Sequence, residues 1–175
     1  MHYRGHQEYF YKLLDSLIER LGGPRYLKNS HGRMKWPKRG LYFFFEHGER
    51  RSETKACRVV RVGTHALKEG AGTSLWERLR NHRGHLSGMR PRGGNRNGSI
   101  FRYHVGAALL HATGNRDLLT IWMSNKTDKK TRDMLHPVEV MVSEHIRSMP
   151  FVWLTVDDSP GPHSARAYLE RNCIV

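Results

Sequence analysis

Arg78 and His82 lie four residues apart in the segment SLWERLRNH, and Glu170 precedes Asn172 in the closing YLERNCIV. On a helical wheel begun at Leu75, Trp76 and Leu79 extend the apolar stripe, and Arg78 and His82 share one flank at its border. An arginine so placed offers a fixed pair of donors to an oxyanion, which a lysine cannot match. A histidine, with a reference pKa of about 6.5, exchanges a proton near neutrality. Glu170 has Ala167 and Ile174 among its three- and four-step neighbours, on a helix that is apolar except around Arg166 and Arg171. The rival acid, Glu144, falls beside Arg147 and Ser148, as a solvated glutamate would. Taken singly, each residue has a bland reading. Arg78 is then a surface cation, His82 a charge near a helix C-terminus, and Tyr42 a strand residue packed among Phe43, Phe44 and Phe45.

The rest of the composition narrows the chemistry. The chain has 175 residues, 30 of them Lys or Arg against 16 acids, for a formal charge of +14. Its arginines are spread along the sequence, which predicts a polyanion partner, foremost nucleic acid. No apolar run approaches a membrane span and no signal-peptide pattern opens the chain, so no membrane partner and a cytoplasmic location are expected. Two cysteines, Cys57 and Cys173, form neither a disulfide framework nor a zinc motif. The twelve histidines include no HExxH pattern.

The elements that must position these residues are legible in outline. Phe10, Leu13, Leu14, Leu17 and Leu21 predict an amphipathic N-terminal helix stopped by Gly22-Gly23-Pro24. Two apolar runs, Leu41 to Phe45 and Cys57 to Val62, predict paired strands joined by a polar excursion through Gly48. Ser74 and Glu77 form a capping box, so a helix starts at Leu75. Residues 83 to 99 hold five glycines and four arginines without apolar period. This predicts a long loop able to contact a phosphate backbone through Arg83, Arg90, Arg92 and Arg96. A helix is expected from Ile100 to about His111, a polar stretch through Lys130, and a helix from about Pro137 to Met149. A third strand at 151–156 and a last helix capped by Ser164 follow. One compact core is expected at this length, with 1–37 as a helix and basic connection packed on a 38–175 domain.

Gly40-Leu41-Tyr42, then Arg61-Val62-Gly63, then Arg78 with His82, then Glu170 followed by Asn172, resemble in order and spacing the motifs of the GIY-YIG nucleases over roughly residues 38 to 175. The resemblance implies an α+β fold, a small three-stranded mixed sheet flanked by helices, here with an extra N-terminal helix. It also implies metal-dependent hydrolysis of a nucleic-acid phosphodiester, with duplex DNA as the expected substrate. On that reading Tyr42, Arg78, His82 and Glu170 are catalytic, Tyr42 or His82 serving in proton transfer or water orientation. Glu170 holds a divalent cation, Mg²⁺ or another such as Mn²⁺, because one carboxylate with waters and a substrate phosphate is how that hard ion is held. Arg61 stands where the family's second triplet has tyrosine, so that tyrosine's role does not carry over. Arg61 and His65 are expected to contact phosphate.

Overall fold

The computed structural model describes residues 3–52, 54–124 and 126–173. Ile174, counted above among the neighbours of Glu170, lies outside them. Among the described residues there are seven α-helices and four strands. They gather into two compact units, one of residues 1–78 with 149–175 and one of residues 79–148. This division differs from the expected 1–37 and 38–175.

The first unit is built on a sheet. Helix α1 (Tyr3–Arg20) ends as its glycines predict: Gly22 and Gly23 have φ of +71° and +99°, and their amides return to the carbonyls of Glu19 and Ile18. That pairing closes the last turn and needs the left-handed backbone glycine tolerates. Strands β1 (Arg25–Tyr26), β2 (Gly40–Arg50), β3 (Cys57–Gly63) and β4 (Pro150–Thr155) follow, in the order β1-β4-β2-β3. The expected three strands are β2, β3 and β4. β1 adds a two-residue edge too short to carry any period, and the described pairings are all antiparallel rather than mixed.

Alternation along β2 sends Leu41, Phe43 and Phe45 to one face and Tyr42 and Phe44 to the other. The first set joins Leu14, Val62 and Val152 in a core covered by α1 and by Leu169 and Cys173 of the C-terminal segment. The second set meets Phe151 and, through it, a pile of Trp36, Trp76 and Trp153. Register breaks between Phe44 and Phe45, and between Glu46 and Arg50, accommodate the long hairpin. Ser74 caps helix α2 (Leu75–Arg83): its hydroxyl accepts from the Glu77 amide while Glu77 accepts from the Ser74 amide at 2.7 Å. Helix α7 (Ala165–Asn172) is capped by Ser164, also as expected.

α2 begins in the first unit and continues into the second, which is helical. It contains α3 (Ile100–Ala112), α4 (Arg116–Met123), α5 (Lys129–Met134) and α6 (His136–Ser148). α4 and α5 replace the expected polar stretch. They are short, so propensity is a weak signal, and each depends on a side-chain cap, Asn115 for α4 and Asp128 for α5. Buried Trp122 anchors α4 by donating to the Tyr103 carbonyl at 2.9 Å. At the centre of this unit lies a wholly buried guanidinium. Arg102 donates to Glu139 Oε2 at 2.5 Å, to the His82 carbonyl at 2.9 Å and to Ser143 at 3.0 Å. Glu139 completes the network by accepting the Arg96 amide at 2.6 Å.

Removing one partner of such a pair strands a buried charge. Glu139→Ala is expected to destabilise the protein by about 3–5 kcal/mol in chemical denaturation, whereas exchanging Arg102 and Glu139 together for apolar residues costs much less.

Candidate active site

The β2–β3 register sets the site. Tyr42 pairs directly with Gly63, and the tyrosine ring lies across the glycine. A methyl group at position 63 would sit 2.3 Å from the Tyr42 hydroxyl oxygen, so only glycine leaves room for the ring. Tyr42 is wholly buried, and its hydroxyl accepts from Nε of Arg78 at 3.4 Å. Arg78 is half-buried on α2. One turn of α2 and one strand pair thus bring the phenol and the guanidinium together from positions 36 residues apart.

The next residue joins the carboxylate to them. The Thr64 amide donates to Glu170 Oε1 at 3.3 Å, and the Thr64 hydroxyl donates to the Gly40 carbonyl at 2.8 Å. Arg61 Nη2 lies 3.8 Å from the same Glu170 oxygen, with the two side chains 26% and 20% exposed. Tyr42, with Arg78 on its hydroxyl, thus lies against Gly63, and Glu170 is held by the next residue, Thr64, just past the end of β3.

His65 is buried beside them. Its Nε2 lies 3.2 Å from the Lys38 carbonyl, so that nitrogen carries a proton, while buried Nδ1 has no hydrogen-bond partner. Burial pushes the imidazole pKa down, and the charges of Arg166, Arg78 and Arg39 act in the same direction against the Lys38 bond. His65 is thus a buried neutral ring behind the site. Its carbonyl accepts from Arg166, a wholly buried residue whose Nε donates to Asp158. Burial alone would raise the Asp158 carboxyl, but hydrogen bonds from Arg166 and its charge outweigh it and hold the group below its ordinary range.

Other residues expected in the site lie in the 79–148 unit, with partners there. His82 is buried, bonded to Ser99 at 2.8 Å and edge-on to Phe101. Arg96 is buried and donates to the Ser124 and Lys126 carbonyls at 2.9 and 3.0 Å, so it closes its own loop. Arg90 pairs with Asp133 at 2.7 Å, and Arg92 with Glu144. Glu144 is thereby a half-exposed surface partner. Arg83 is half-buried, and burial followed by the charge of Arg80 lowers its pKa. In the first unit, Asn172 donates to the Tyr168 carbonyl at 2.8 Å, one turn back along α7.

Three contributors escaped sequence reasoning. Thr64 acts mainly through its backbone amide, which no side-chain pattern reveals. Asp158 falls between the third strand and the last helix, where no spacing singles it out. Arg166 had a signal: it is four residues before Glu170, so both lie on one face of α7.

Gly63→Ala drives a methyl group into the Tyr42 hydroxyl. It is expected to cost about 1–3 kcal/mol in denaturation as the ring is displaced. His65 gives a pH prediction. Its folded pKa lies below 6.5, so on acidification the unfolded chain takes up the proton first. Stability should therefore fall as pH drops below about 6.5, and this part of the slope should vanish in His65→Gln. An unchanged slope in the variant would contradict the assignment.

No curated protein matches, and no solved structure matches. Among the described residues no helix is long and apolar enough to cross a membrane. The family described as the GIY-YIG domain matches residues 1–175. That match covers the whole chain, whose fold is α+β with helices flanking the sheet. The chain belongs to the GIY-YIG family, a family of nuclease type.

Proposed function

We propose that the protein is a metal-dependent endonuclease that hydrolyses phosphodiester bonds of duplex DNA in the cytoplasm. The observation that carries this reading is that two successive residues, Gly63 and Thr64, carry Tyr42 with Arg78 on one and Glu170 on the other. DNA is preferred to RNA on the family resemblance.

Among the described residues no cluster of three His, Cys, Asp or Glu side chains could enclose a metal. Glu170 nevertheless fits the cation expected here. It is one carboxylate, partly exposed, with Oε1 fixed by the Thr64 amide, and Mg²⁺ is commonly held by one or two carboxylates, waters and substrate phosphate. A bound Mg²⁺ or Mn²⁺ supplies Lewis-acid polarisation of the phosphoryl oxygens and an acidified water.

The chain's own groups do the rest. Arg78, half-buried at the site, binds the scissile phosphate and neutralises charge that grows in the transition state. Tyr42 lies beneath it without exposed surface, so its hydroxyl orients the Arg78 guanidinium rather than reaching bulk water. The neutral His65 and the Arg166–Asp158 pair hold the segment after β3 against α7 and so fix the Thr64 amide.

The 79–148 unit is proposed to contribute nucleic-acid binding. Within it, one cleft of about 580 Å³ has Arg90, Lys126 and Arg132 in its lining, and another of about 690 Å³ has Arg80 and Arg83. Arg147 has its pKa lowered by burial and then by the charges of Arg83, Arg102 and Arg92, and it donates to the Arg83 and His85 carbonyls, which ties that loop to α6.

The test is cleavage of plasmid DNA with Mg²⁺. Wild-type protein should cut, while Arg78→Ala and Glu170→Ala should each lose about 10²–10³-fold or more in rate and still bind DNA. Binding should weaken steeply with salt, as expected for phosphate contacts. Arg61 in the second triplet favours a rival reading, a DNA-binding module without turnover. Salt-sensitive binding without cleavage in any divalent metal would establish that rival instead.

A further inference from the structure

We infer that Arg61 couples metal binding to DNA binding: it neutralises Glu170 in the free protein and transfers to a DNA phosphate when a divalent cation takes the carboxylate. This inference rests on the reading of Glu170 as the metal-holding group.

Three observations support it. Arg61 is held loosely, because its Nη2 stands 3.8 Å from Glu170 Oε1, within reach for charge attraction but too far for a hydrogen bond. Its buried Nε has no hydrogen-bond partner. The side chain is nonetheless partly exposed, so the guanidinium can turn its donors to an incoming oxyanion, and phosphate suits its fork. Glu170, in contrast, does not depend on Arg61 for its position. The Thr64 amide holds the same carboxylate oxygen, and Thr64 is tied to Gly40 through its hydroxyl. Arg61 can therefore leave without dislodging the acid.

Position 61 gives this exchange its consequence. It lies on β3 two residues before Gly63, where the second triplet of the family carries tyrosine. A neutral side chain there leaves the carboxylate's full charge to the cation. An arginine opposes the cation until something draws its own charge away. A phosphate of the bound strand is suited to do so, and linkage requires the effect to be mutual. Cation and DNA should each bind better in the other's presence, so the metal is held firmly only where there is a strand to cut.

The experiment uses the full chain in two arms, neither of which reads cleavage. In the first, Mn²⁺ binding without DNA is measured by calorimetry or electron paramagnetic resonance. Arg61→Gln and Arg61→Tyr should each bind Mn²⁺ about tenfold more tightly than wild type, within the usual span of such couplings, and Glu170→Gln should lose the site. Two different replacements guard against one that fails to fold. In the second arm, binding of a short duplex is measured by fluorescence anisotropy in EDTA. Glu170→Gln should tighten binding by about fivefold or more in the wild-type background, and by clearly less when Arg61 is already Gln. The difference between backgrounds isolates the pair from the bare loss of a negative charge.

Equal Mn²⁺ affinity in wild type and both Arg61 variants would overturn the coupling while leaving Glu170 as the metal ligand. Additive effects in the DNA arm would likewise overturn it. Mn²⁺ binding that survives in Glu170→Gln would remove the metal reading beneath it, a failure distinguishable from the first two.

Discussion

The passage of the Tyr42 ring across Gly63 is the constraint on which the site depends. It is possible because β2 and β3 pair in a register that sets these two residues opposite each other and because position 63 has no side chain. A slip of one residue would turn Tyr42 to the α1 face, where Leu41, Phe43 and Phe45 already pack. Register, core and site are therefore one decision. Burial of the alternate phenylalanines holds the tyrosine to the other face, the tyrosine supports Arg78, and the end of β3 offers the Thr64 amide to Glu170.

Charge is arranged differently in the two units. In the first, Arg166 is buried but bound to Asp158 and the His65 carbonyl, whereas Arg61 beside Glu170 and Arg78 above Tyr42 keep part of their surface exposed. The first arrangement is structural, and the second leaves cations available to a ligand. In the 79–148 unit, Arg102 and Glu139 are satisfied internally, and Arg96 serves neighbouring carbonyls. Arg80, Arg83, Arg90 and Arg132 instead line clefts. A high net charge alone does not distinguish these roles. Burial and the identity of each partner do.

Much of this was legible in the sequence where local chemistry decides the outcome. The Gly22-Gly23 stop, the Ser74–Glu77 capping box, the Ser164 cap and the alternation of β2 each depend on neighbours in the chain. The three catalytic candidates of the first unit, Tyr42, Arg78 and Glu170, are legible too, because their types and order carry the family's pattern. What escaped depends on distant contacts. β1 exists only because β4 lies beside it, and α4 needs Trp122 buried and bonded to Tyr103. Arg96 reads in sequence like any loop arginine, and only the fold shows its guanidinium turned inward. Thr64 escaped for a further reason, since a backbone amide has no signature in residue type.

The central claim, that the carboxylate at the end of β3 is a cation site, is tested most directly by adding Mn²⁺ to isotope-labelled protein and following paramagnetic broadening of backbone amides. The predicted result is that the Thr64 and Gly63 signals broaden first and that Glu170→Gln abolishes the effect. Broadening that begins instead near Asp133 or Glu144, with Thr64 unaffected, would contradict it.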